Sequence, residues 1–174
     1  SQEYLQDSIN DNMLKNSGFE LDEEIAEVPD DWTRINELGY LGDCYLDDSK
    51  CKYGYRSLKF EGMNLSDVSR GVYVKQDVEG VIIPGAYYTL SYYYADDDFF
   101  IEEFDYYIKI EIRDEEGEII DIVDAAPEQK AIEVIGYNPY LKDSFLRHHK
   151  TFMMPEGAHK ATVCLGIMVK PHVE

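Results

Sequence analysis

The chain has 174 residues, with 36 Asp+Glu against 16 Lys+Arg and a formal net charge of −20. A field of that sign repels phosphate backbones and anionic bilayers, which argues against nucleic-acid binding, and no apolar run nears the ~18 residues of a membrane span. Hydrophobic residues reach 44%, enough for a core, and the length suits one domain.

Residues 1–11 read as an N-terminal arm, either a short helix or a disordered segment, ahead of a domain over 12–174. The chain opens at Ser1 with no basic, then apolar, leader, so a processed or excised form without a signal peptide is expected. Cys44 and Cys51 flank the acidic turn Asp47-Asp48-Ser49 and either close a small disulfide loop or stay as thiols. With Cys164 they form an odd set without C-x-x-C spacing, and the histidines lie elsewhere, so a zinc site is not expected.

Strand signals follow in order. Val72, Val74 and Gln76 alternate with Tyr73, Lys75 and Asp77, predicting a strand over 71–78. Pro84-Gly85 marks a turn into a second strand over 86–95, with Tyr88, Leu90, Tyr92 and Tyr94 on one face and Tyr93 on the other. An acidic loop from Asp96 to Glu103 leads to a third strand over 105–113, in which Tyr106, Ile108, Ile110 and Ile112 alternate with Tyr107, Lys109, Glu111 and Arg113. Asp114-Glu115-Glu116-Gly117 reads as a hairpin turn into 118–123. Residues 124–144, with Pro127, Gly136, Asn138 and Pro139, read as a long structured loop. The segment Phe145–Phe152 is a further strand, whose neighbours His148 and His149 point to opposite faces and cannot easily grip one metal. A last alternating run over 160–170 carries Cys164, expected to be an inert core thiol. Many short strands with one apolar face predict an all-β fold, an antiparallel two-sheet β-sandwich of jelly-roll type.

Five segments in order resemble a known family. Asn12-Met13-Leu14-Lys15-Asn16-Ser17-Gly18-Phe19-Glu20 with Pro29-Asp30-Asp31-Trp32, then Tyr53–Phe60, Gly71–Val78, Pro84–Ser91, and Phe152 and Pro155 with the run 161–169, are similar to carbohydrate-binding modules of families 4, 9 and 22. The resemblance implies a jelly roll with Phe19, Trp32 and Phe60 in the core and a non-catalytic domain of a larger extracellular, cell-surface or virion-associated protein. It implies a structural calcium held by Glu20 with carbonyls of Gly18 and Lys59, an oxygen-only set that suits a hard cation. The family's closing "I-D-D-V" strand is not evident in Lys170-Pro171-His172-Val173-Glu174, so that strand is either missing or replaced by the N-terminal arm.

No acidic residue sits in a recognisable catalytic motif, and Ser57, Ser91 and Ser144 lack a G-x-S-x-G setting, so an enzyme is not expected. The binding face is expected at Tyr73, Tyr93 and Tyr107 with Lys75, Lys109 and Arg113, all on the non-core parity of their strands. These three rings are expected to be partly exposed, on one sheet and within reach of one another. Flat rings stack on the apolar C–H faces of sugars, and charged groups take the hydroxyls. The partner is then a polysaccharide or cell-surface glycan, along with other domains of a parent protein. The alternative is a structural module of a phage tail or cell-surface appendage with little or no sugar binding.

Overall fold

In a computed structural model that describes residues 13–15, 29–47, 57–96, 103–135 and 145–171, the alternating segments become strands. They are β1 (Thr33–Asn36), β2 (Gly42–Asp47), β3 (Ser57–Gly62), β4 (Arg70–Asp77), β5 (Tyr87–Tyr94), β6 (Phe104–Arg113), β7 (Ile119–Asp124), β8 (Leu146–Met153) and β9 (Lys160–Val169). Every pairing is antiparallel. One sheet runs β1-β4-β9-β6-β7, and two ribbons, β2-β3 and β5-β8, form the opposing layer. The expected jelly-roll sandwich is the fold observed.

The period of two decides which residues meet between the layers. Val72 and Val74 of β4, Ile108, Ile110 and Ile112 of β6, and Ala161 and Val163 of β9 face inward. They pack against Cys44 of β2, Phe60 of β3, Leu90 and Tyr92 of β5, and Phe152 of β8. Trp32 is buried among them, as the resemblance implies. Phe19 lies outside the described residues, as do the 1–11 arm and Cys51. Cys44 is a buried free thiol facing the core, not the half of a bridge.

Turn chemistry matches the strand ends. Ile83-Pro84-Gly85-Ala86 closes with an Ala86 N–H to Ile83 carbonyl bond of 3.2 Å, and Gly85 adopts φ 83°. Proline followed by a positive-φ glycine is the type II arrangement. In the β6–β7 hairpin, the Asp114 carboxylate accepts the Glu116 and Glu118 amides at 3.0 and 2.9 Å.

The 124–144 segment departs from its reading as a loop, because Ala131–Ile135 forms a helical turn. Tyr106 and Asp96 hold its start. The Tyr106 hydroxyl donates to Asp96 Oδ1 at 2.5 Å and accepts the Ala131 amide at 3.3 Å, while Asp96 Oδ2 accepts the Ile132 amide at 3.2 Å. Side-chain acceptors on orphan amides explain a helix start that local propensity does not announce. Among the described residues, no helix is long and apolar enough to cross a membrane.

Candidate binding face on the five-stranded sheet

The outer face of the five-stranded sheet is where the polar parity collects. Strand register sets its residues in rows. One row runs Ile35, Tyr73, Gly166, Tyr107. The next runs Thr33, Lys75, Cys164, Lys109, Asp124. The third runs Asp77, Thr162, Glu111, Ile122, and Lys160 pairs with Arg113 beyond it.

Both β4 and β6 are antiparallel to β9, so they run in the same direction. Each carries the same order of side chains on this face: Tyr73-x-Lys75-x-Asp77 on β4 and Tyr107-x-Lys109-x-Glu111 on β6. Between them β9 contributes only small side chains, Gly166, Cys164 and Thr162. The result is two ridges over a low central strand. A cleft of ≈ 500 Å³ opens at the acidic end, with Lys75, Asp77, Glu111, Arg113, Lys160 and Thr162 among its lining.

Gly166 makes the aromatic end. The rings of Tyr73 and Tyr107 lean together across it, with centroids 4.6 Å apart and planes at 41°. A Cβ on Gly166 would stand 2.5 Å from Tyr73 Cα and nearer still to Tyr73 Cβ and the Val72 carbonyl oxygen. A glycine inside a strand often marks such a close approach. Both rings are half-buried, and burial, the largest cause, pushes each hydroxyl up to about 12. They stay protonated at neutral pH. Lys109 Nζ sits 4.2 Å from the Tyr107 ring centroid, a cation–π arrangement.

The acidic end is tied into a network. The Thr162 hydroxyl donates to Asp77 Oδ1 at 2.6 Å and accepts from Arg113 Nη1 at 3.4 Å. Lys160 Nζ pairs with Asp77 Oδ2 at 2.9 Å, and Arg113 Nη2 with Glu111 Oε1 at 3.6 Å. Burial pushes the Asp77 carboxyl up, but the Thr162 and Lys160 hydrogen bonds with the charges of Lys160 and Arg113 hold it below its ordinary value.

Five of the six sequence-predicted sugar residues share this face: Tyr73, Lys75, Tyr107, Lys109 and Arg113. Tyr93 does not, which corrects the expectation of three rings on one sheet. It lies on β5, opposite Arg147 of β8, on the outer side of the other layer. Parity correctly turns it outward, but β5 belongs to the second sheet. Cys164 is a second correction: it is buried, yet on the outer parity, beneath Lys75, Lys109 and Glu111 and not in the core between the layers. Its thiol donates to Glu111 Oε1 at 3.7 Å. Asp77, Glu111, Thr162 and Gly166 join the face beyond the expected set. The repeated Tyr-x-Lys-x-acid spacing and the lone glycine in an alternating strand were the signals for them.

Of the calcium set, Gly18 and Glu20 lie outside the described residues. Lys59 is on β3, its ammonium 3.8 Å from Asp47 and 4.0 Å from Glu61. His148 lies against the Tyr92 ring at 5.7 Å and His149 is exposed, and their own ring centroids stand 6.5 Å apart.

No protein-family model matches the chain, and no curated protein matches its sequence. Among solved structures it is similar to the enzymatically active domain of tailspike protein 4 of bacteriophage CBA120, with TM-score 0.60 and 16% identity over 93% of this chain. The match spans only 20% of that tailspike chain. It is also similar to a xylan-binding domain of carbohydrate-binding module family 22, with TM-score 0.41, 13% identity, and 84% of this chain and 92% of that one covered. The C-terminal family 22 module of Clostridium thermocellum Xyn10B gives TM-score 0.38 and 13% identity, over 84% of this chain and 91% of that one.

Proposed function

We propose that this chain is a non-catalytic carbohydrate-binding module that attaches a larger extracellular, cell-surface or virion-associated protein to a polysaccharide or cell-surface glycan. The observation that carries the reading is the Tyr73–Tyr107 ring pair set beside Lys75 and Lys109 on the outer face of the sandwich. A pyranose offers that face what it is shaped to take: apolar C–H bonds for the rings and hydroxyls for the ammonium groups and phenols. The two carboxylates at the acidic end of this face are engaged in its own network. Asp77 is held ionised by Thr162 and Lys160, and Glu111 is paired with Arg113. Contacts of this kind are individually small, so a Kd in the micromolar-to-millimolar range is expected, or ~4–8 kcal/mol.

A glycan array probed with the whole chain, followed by affinity electrophoresis on the polysaccharides it selects, tests the proposal. Retardation by at least one polysaccharide supports it. A chain that ignores every glycan on the array overturns it.

A second reading keeps the fold and drops the sugar: a structural module of a phage tail or appendage that packs against other chains. The similarity to part of a phage tailspike over nearly the whole of this chain favours that reading. The same array separates the two.

A further inference from the structure

The two lysines in the middle row are surrounded by acid and yet neither is spent on a carboxylate; Lys109 rests its ammonium 4.2 Å from the Tyr107 ring centroid. Lys75 and Lys109 make no ion pair among the described residues, whereas Lys160 and Arg113 on the same face are both paired. The carboxylates that could quench them are otherwise engaged. Glu37 Oε1 accepts the Gly71 amide at 2.7 Å, and Glu111 faces Arg113 and the Cys164 thiol. Asp77 is held by Lys160 and Thr162, and Asp124, the cross-strand neighbour of Lys109, turns Oδ1 to the Ala126 amide at 3.0 Å.

The lysines are neighbours across β9. They flank Cys164 in one row, two interstrand steps or about 10 Å apart at Cα. Burial and the Glu111 carboxylate push the Cys164 thiol between them up to about 11, and the two ammonium charges oppose that rise. The Tyr73–Tyr107 row lies two residues away along the strands, a step of about 7 Å. A sugar ring on the tyrosines therefore projects its substituents over the gap between two positive charges. A neutral sugar leaves those charges uncompensated. A carboxylate on the ring accepts from both at once, and charge-assisted bonds are roughly twice as strong as neutral ones.

Resting on the carbohydrate-binding reading above, we infer that the glycan is acidic: a polymer containing hexuronate, its ring on Tyr73 and Tyr107 and its carboxylate between Lys75 Nζ and Lys109 Nζ. In a chain of net charge −20, a locally cationic row selects an anion by position against the overall field. Binding then weakens as salt is added, because the paired charges are at the surface.

The test is calorimetric titration of the whole chain with oligogalacturonate and with hyaluronan oligomers, each beside its carboxyl-reduced counterpart of the same length. The acidic forms are expected to bind at least about tenfold more tightly than the reduced forms. Lys75→Gln with Lys109→Gln should erase that difference while leaving the urea midpoint near wild type. Equal affinity for acidic and reduced oligomers, lost in Tyr107→Ala, would overturn the acidic preference and leave the carbohydrate reading standing. Binding of neither form, by a chain that does select neutral glycans on the array, overturns the acidic preference too. A chain that binds no glycan at all sinks both.

Discussion

Gly166 and Tyr73 touch backbone to backbone side by side: no side chain fits on the glycine without striking Tyr73 Cα, 2.5 Å from where its Cβ would be. The ring pair over β9 exists because that position is empty. Gly166→Ala should therefore push β4 and β9 apart and separate the rings, at a stability cost of ~1–3 kcal/mol as for other overpacked sites. Urea denaturation measures the cost, and loss of glycan retardation shows the separation. An alanine variant as stable as wild type would mean the sheet yields without strain.

Tyr107 and Tyr93 give a matched pair of tests. Tyr107→Ala should weaken glycan binding by about tenfold or more, with a modest loss of fold stability near ~1 kcal/mol. Tyr93→Ala, on the outer side of the other layer, should leave binding unchanged. Affinity electrophoresis of the two variants on one gel decides it, and equal losses from both would place the sugar elsewhere.

Alkali should unfold this chain through its tyrosines. Burial raises Tyr73 and Tyr107 from an ordinary 10.0 to about 12, and raises Tyr92 and Tyr106 further. Above the ordinary value the unfolded chain has released these protons while the folded one still holds them, so stability falls as pH rises. The contribution is complete below pH 10.0 and is lost progressively as pH climbs through about 12. Urea midpoints taken across that window should drop in the wild type and drop less in Tyr73→Phe with Tyr107→Phe. Parallel slopes would show that the two hydroxyls are not linked to folding.

The family resemblance implies a structural calcium, and Glu20, outside the described residues, is the residue that tests it. A ion that binds only the folded chain raises the melting temperature by mass action. Added calcium should raise it in the wild type and not in Glu20→Gln. A melting point indifferent both to calcium and to excess chelator removes the site.

Alternation made most of the strands legible. The runs over 71–78, 86–95, 105–113 and 160–170 match β4, β5, β6 and β9 to within about a residue at each end, because side chains with a buried face must repeat every second position. Parity also told inside from outside for Tyr73, Tyr93 and Tyr107. It says nothing of which sheet a strand joins. That is settled by β9, at the far end of the chain, inserting between β4 and β6, and by β8 pairing with β5. Such pairings are decided by long-range contacts with no local signature. Cys164 was misplaced for a related reason: long side chains folded over a central strand bury the outer parity as well as the inner one.

The face has a direction. On both ridges a traveller along β9 from its end to its start meets tyrosine first, then lysine, then acid, and the parallel course of β4 and β6 keeps the two ridges in step. A face with two opposed ridges would look the same from either end, but this one does not. If a polymer lies along it as proposed, it would be read one way round, and the polarity of its chain would become the orientation of whatever is joined to this domain.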